Sequence, residues 1–145
     1  MAVVDNRSDQ LPKLAFNAVI STDTTTNGAI IDTANFDRGV TFIILAPVYT
    51  DGTYTPVIEE SDDSGMSGAT DVTDAQLIGT EAGAVISAVS GSGANLASIG
   101  VFSNKRFLRL KIVSASTSTG ATISAVVNMK AELTPALDRD WETHQ

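Results

Sequence analysis

The stretch Ala121-Thr122-Ile123-Ser124-Ala125-Val126-Val127-Asn128-Met129-Lys130-Ala131-Glu132-Leu133 decides the fold class. Ile123, Ala125, Val127, Met129, Ala131 and Leu133 point one way, while Thr122, Ser124, Asn128, Lys130 and Glu132 point the other. An extended strand with one buried face gives this period of two; a helix would space its apolar residues three and four apart.

The same alternation recurs upstream. Leu14, Phe16, Ala18 and Ile20 share a face, and Leu108, Leu110 and Ile112 alternate with Arg109 and Lys111. Val40 to Tyr49 is different: Val40, Phe42, Ile44 and Val48 lie on one face, and Ile43, Leu45 and Tyr49 on the other. A strand apolar on both faces is either central to the fold or covered by another subunit. Pro47 lacks a backbone donor, which predicts an edge or a bulge at the far end of that strand.

Strands are expected near 13–20, 28–34, 38–49, 53–60, 76–80, 84–89, 95–103, 106–114 and 121–133, two of them too weak to count, so seven or eight in all. Asp51-Gly52, between Val48-Tyr49-Thr50 and Thr53-Tyr54-Thr55, predicts a tight hairpin. Asn27-Gly28 and Ser103-Asn104-Lys105 read as further turns, Ser61 to Thr70 as a longer excursion, and Ser114 to Gly120 as a polar loop. One helical turn is expected between Asp71 and Leu77, and no amphipathic helix is visible. Short strands with regular turns point to an all-β, antiparallel β-sandwich or jelly roll. The expected division is an N-terminal arm over 1–12, a sandwich over 13–133 and a C-terminal tail over 134–145, with Phe16, Phe42, Ile44, Leu108, Leu110, Ile112, Ile123 and Val127 forming the core.

Composition agrees. The 145 residues suit one domain. Ser and Thr total 31, against nine Leu, five Glu and four Lys, a balance that favours pleated structure over long helices. Leu, Ile, Val and Phe total 38, enough for a core. No secretory signal is read at the N-terminus, where Asp5, Arg7 and Asp9 interrupt any apolar run. The uncharged run Val40 to Val48 is far too short for a membrane span. A soluble protein synthesised in a cytoplasm is expected, with no membrane partner.

Several chemistries are disfavoured. A net charge of −8 argues against a nucleic-acid partner held through phosphates. The absence of cysteine removes disulfides, thiolate metal sites and cysteine nucleophiles. The single histidine, His144, is penultimate in a charged tail, a poor place for a base that must be held rigidly. Glu59-Glu60, Asp62-Asp63, Asp71 and Asp74 could be imagined as a glycosidase pair or a calcium loop. However, the eight aromatic residues are scattered, and the spacing around Gly65 does not match a calcium-binding loop. Gly91-Ser92-Gly93 lacks the third glycine of a dinucleotide fingerprint, and the sequon Asn6-Arg7-Ser8 has no secretion context. No catalytic, metal or cofactor site is assigned.

Two features remain for binding. Lys105, Arg106, Arg109 and Lys111 place four of the nine bases within seven positions, while Asp51 to Glu81 holds eight acids and no base. The reading is an electrostatic counterpart, within the protein or across a subunit boundary. Tyr49, Tyr54 and Trp141 are the aromatic candidates for a contact surface, and would also have to supply any carbohydrate-binding platform.

Four segments carry a family resemblance over roughly Phe16 to Met129. They are Thr26-Asn27-Gly28-Ala29-Ile30-Ile31-Asp32-Thr33, Tyr49 to Asp63 (Tyr-Thr-Asp-Gly-Thr-Tyr-Thr-Pro-Val-Ile-Glu-Glu-Ser-Asp-Asp), Leu77-Ile78-Gly79-Thr80-Glu81 and Asn104-Lys105-Arg106-Phe107-Leu108-Arg109-Leu110. In this order the chain resembles the small structural proteins of tailed bacteriophages, and within them the capsid cement, or decoration, proteins. Ser64 to Thr73 departs from that pattern. The resemblance implies a non-enzymatic homo-oligomer, dimer or trimer, bound to the major capsid protein on the exterior of the virion, without cofactor. A phage tail or neck subunit is the neighbouring alternative, and a carbohydrate-binding sandwich the alternative from another class.

Overall fold

The structure, a computed structural model, describes residues 10–34, 36–87 and 95–131. Ten strands form two antiparallel sheets: β1 (Gln10–Ile20), β2 (Thr25–Asp32), β3 (Phe36–Tyr49), β4 (Thr53–Ser61), β5 (Thr70–Asp71), β6 (Leu77–Ile78), β7 (Ile86–Ser87), β8 (Leu96–Phe102), β9 (Phe107–Ala115) and β10 (Ala121–Ala131). One sheet has the order β1-β10-β3-β8-β6; the other has β2-β9-β4-β5, with β7 pairing the opposite end of β4 from β5. The all-β sandwich expected from the alternation is therefore present. Of its two-residue elements, β5 is too short to read, β6 occupies part of the strand expected at 76–80, and β7 falls within the strand expected at 84–89, whose last two residues lie outside the described residues. The expected helical turn is a 3-10 turn at Asp74–Gln76, with a second at Ala82–Ala84.

All eight expected core residues are buried, and Phe42, Ile44, Leu110, Ile123 and Val127 are fully inaccessible. The long strand β3 is the middle strand of its sheet, which accounts for its inner apolar face. Opposite Ile123, between Leu45 and Val48, β3 carries the two residues Ala46 and Pro47, so the prolyl bulge lies where the missing donor requires it. It also turns Val48 out to solvent, away from the face it shares with Phe42 in a straight strand. A second bulge, between Leu14 and Phe16, buries Ala15 beside Phe16 and turns Leu14 outward. Strict alternation had placed Leu14 inside; the extra residue inverts it.

Two turn expectations are corrected. Asp51-Gly52 is not a hairpin turn, because β3 and β4 belong to different sheets and the segment arches across the sandwich. The glycine is nonetheless required: its φ is 99°, in the left-handed region that side chains disfavour. Asn27-Gly28 lies inside β2 at a register shift, not at a turn. There a Cβ on Gly28 would stand 2.3 Å from the carbonyl of Ala15 and 2.7 Å from that of Leu110, so glycine permits the close approach of three strands.

The chain changes sheet at nearly every connection. Among the described residues β4–β5 is the one pair of consecutive strands that hydrogen-bond to each other. The arm expected over 1–12 begins its strand by Gln10; the remainder of that arm and the tail over 134–145, with Trp141 and His144, lie outside the described residues. No helix among the described residues is long and apolar enough to cross a membrane.

Candidate functional site

The basic cluster runs along β9 and the loop before it, and period two separates its members from the core. Leu108, Leu110 and Ile112 point inward, so Arg109 and Lys111 stand on the outer face of the sheet β2-β9-β4-β5. Antiparallel pairing sets Glu59 of β4 opposite Arg109, and Asp71 of β5 opposite Glu59. Both Arg109 Nε and Nη2 donate to Glu59 Oε2, at 2.9 and 2.6 Å. Lys111 Nζ donates to Glu59 Oε1 at 3.1 Å and to Asp71 Oδ1 at 2.7 Å. Burial pushes the Glu59 carboxyl upward, but the bonds from Arg109 and Lys111 outweigh it and hold it below the ordinary range. The bond to Asp71 raises the Lys111 ammonium.

Lys105 and Arg106 sit at one end of the sandwich. Arg106 donates to both carboxylate oxygens of Asp32, at 2.9 and 2.8 Å, a fork geometry that lowers Asp32 to about 2. Its guanidinium also lies 5.0 Å from the centre of the Phe107 ring. Lys105 Nζ pairs with Asp62. All four bases thus meet carboxylates of the same chain, three of them within the acidic 51–81 segment. Arg109 and Lys111 are held with side chains 19% and 18% exposed, whereas Lys105 and Arg106 keep 45% and 57%.

An open depression of about 590 Å³ beside this end is lined by Glu60, Asp62, Asp63 and Lys105. Its carboxylates already have work. Asp63 Oδ2 accepts the N–H groups of Gly65 and Ser67 at 2.9 and 3.0 Å, closing the 61–68 loop on itself. Glu60 Oε2 accepts from the hydroxyl of Ser103 and from Gln76. Among the described residues no three His, Asp or Glu side chains converge as a metal site requires.

The aromatic candidates divide differently. Tyr54 is 1% exposed and packs edge-to-face with Tyr49, ring centres 6.2 Å apart. Their hydroxyls donate to the carbonyls of Asp51 and Gly52, at 2.8 and 2.7 Å. The pair therefore fastens the arch between the sheets, and Tyr54 is corrected from surface candidate to core residue. Residue-type reasoning missed this because a tyrosine in an alternating strand looks the same on either face until its partner sheet is known.

What the sequence reading did not single out is the outer face of the sheet β1-β10-β3-β8-β6. Its register sets Leu14, Val126 and Ile43 in one row and Leu45 and Leu96 in the next. All five are exposed to between 39% and 61%. The signal was present in the second apolar face of Val40 to Tyr49.

No family model matches the chain, and no curated protein matches it. Among solved structures, the chain is similar to the PBSX exported protein XepA, with a TM-score of 0.56 and 18% identity over 90% of this chain and 40% of that one. The SPBc2 prophage-derived protein YomS superposes with a TM-score of 0.40 and 11% identity over 83% of this chain and 93% of that one. The chain thus spans well under half of XepA, and what it shares with that protein is the β-sandwich fold.

Proposed function

We propose that this protein is a non-enzymatic structural subunit of a bacteriophage virion, and specifically a capsid decoration protein bound to the outer surface of the major capsid protein lattice. The observation that carries the reading is the division of its surface. One sheet turns a broad apolar face to solvent, while on the other the charges are spent on one another. Contiguous exposed apolar area of that kind marks a subunit built to associate, with its own copies or with a shell, as a virion structural protein must. The likeness of fold to phage-derived proteins is in keeping with it, as is the resemblance of its sequence segments to phage structural proteins.

Such a subunit works by linkage. A protein that binds the assembled shell and not its separated parts shifts the equilibrium toward the shell, by an amount set by its affinity and concentration. Lys105 and Arg106, the exposed members of the basic cluster, are the groups of that end available to a capsid surface, and the remaining acidic exterior keeps decorated particles apart.

Co-sedimentation of the purified protein with expanded capsids lacking it tests the proposal. Saturable binding, with a raised temperature of capsid disruption, is the expected result. Failure to bind heads, with incorporation into tails instead, would move the protein to the tail or neck; binding to neither would remove it from the virion.

A further inference from the structure

The face of β1-β10-β3-β8-β6 that points away from the core has a consistent chemistry. Among its described side chains, Lys130, near the end of β10, is the one charged group that the register places there. The row Leu14–Val126–Ile43 crosses three strands, with Leu45, Leu96 and Val48 beside it. Four of the polar side chains on the face are paired within it: Ser124 Oγ donates to Asn17 Oδ1 at 3.0 Å, and Asn128 Nδ2 to Gln10 Oε1 at 2.9 Å; the others there are the small hydroxyls of Thr41, Ser98 and Thr122. Covering this face would therefore leave those two pairs bonded, and only small hydroxyls to find acceptors across it.

We propose that this face packs against the same face of a second copy of the chain, sheet on sheet about a twofold axis. Charge permits a copy at this face and at few others. Each chain carries a net charge of −8, so two copies repel through most orientations. Here they can meet through a surface whose described side chains include no carboxylate, leaving Glu59, Asp71, Asp62 and Asp32 on the far sheet and its loops.

Area fits as well. Strands of 11, 11, 14, 7 and 2 residues, each residue covering roughly 3.3 by 4.8 Å of sheet, give a face of about 700 Å². A stable interface of standard size takes about 800 Å² from each partner. Val126 and Ile43, directly opposite on β10 and β3, lie on the middle strands and would pack near the axis. The fully desolvated centre is where binding energy concentrates. Two twisted sheets packed this way sit about 10 Å apart with strands inclined by roughly 30°. The dimer stands whether or not the protein binds capsids.

Sedimentation velocity on the purified protein, from about 1 to about 100 µM, covers the range in which a modest homodimer forms. A mass of two 15.1 kDa chains is expected. Ile43→Lys and Val126→Lys should each reduce it to one chain with an unchanged far-ultraviolet spectrum, while Asp62→Asn in the loop after β4 should leave it at two. If lysine disturbs the fold, Ile43→Thr keeps the strand and should raise the dissociation constant at least tenfold. A wild-type monomer throughout the range would overturn the proposal, as would a trimer or a dimer indifferent to both positions. So would a monomer whose Val126→Lys variant loses only capsid binding, since the face would then belong to the capsid. A dimer that ignores capsids would leave this interface intact and retire the decoration reading alone.

Discussion

The Asp51 carboxylate accepts the backbone N–H of Gly120 at 2.7 Å, joining the arch between β3 and β4 to the loop that precedes β10. Asp51 also takes the N–H groups of Ser118 and Thr119, at 3.2 and 3.0 Å. Three donors that a free loop would leave to water converge on one side chain. Asp51→Ala should therefore lower the thermal midpoint by several degrees and speed hydrogen exchange at 118–120. Asp51→Asn, which keeps one acceptor oxygen, should recover part of the loss.

The acid limb of stability follows from three depressed carboxyls, of which Glu59 between Arg109 and Lys111 is one. The bond from Arg106, helped by the N–H of Ala34, lowers Asp32 from 3.8 to about 2. The N–H groups of Gly120, Thr119 and Ser118 lower Asp51 in the same direction. A carboxyl depressed in the fold stabilises it above the unfolded pKa and loses that contribution as pH falls through the folded one. Thermal midpoints should hold above about pH 4 and drop between about pH 4 and 2. Asp32→Asn should start lower at neutral pH and fall less steeply, so that the two curves converge near pH 2.

Glu81 behaves in the opposite sense. Burial pushes its carboxyl up, and Asp71 and Asp74 add repulsion that the bond from the Ile58 N–H only partly offsets. Here the folded pKa lies above the unfolded one, so ionisation at neutral pH costs stability that protonation restores in acid. Glu81→Gln keeps an acceptor for the Ile58 N–H, now 3.3 Å away. It should raise the thermal midpoint at pH 7 and change little below about pH 4, the range in which Glu81 is already protonated. A destabilised Gln variant at pH 7 would count against this reading of its surroundings.

Gly28→Ala tests the close approach of β1, β2 and β9. The added methyl would meet two backbone carbonyls that no rotamer change can move aside. A cost of about 3 kcal/mol in urea unfolding is expected, at the upper end of overpacking penalties. Gly68→Ala is the comparison. Nothing lies within 4 Å of that position, and its φ of +64° leaves only the local penalty of a left-handed residue, about 1 kcal/mol.

How much of this was legible in the residues depends on what each signal measures. Alternation reports burial of one face, so β9 and β10 could be read almost to the residue, and with them Leu108, Leu110, Ile123 and Val127. It does not report bulges, which is why Leu14 and Val48 turned out on the other side. Turn chemistry reports backbone conformation and not pairing: Gly52 needs its positive φ whether the chain doubles back or crosses between sheets. For the candidate site, clustering of bases on β9 and of acids on 51–81 pointed to mutual neutralisation, but pairing of Glu59 with both Arg109 and Lys111 depended on strand register. The apolar outer face was half visible in β3 alone; its extent required knowing that β1, β10 and β8 lie alongside.

The repeated switching between sheets has a kinetic corollary. Among the described residues β1 finds its ladder partner only in β10, and β2 only in β9, so early strands wait for late ones. Loop closure over such separations must be met before any pairing rewards it, which slows folding of topologies of this kind. During synthesis, then, a ribosome-bound chain lacking β9 and β10 leaves β1 and β2 without these partners and opens one edge each of β3 and β4. Native pairing of β1 and β2 thus awaits the emergence of β9 and β10.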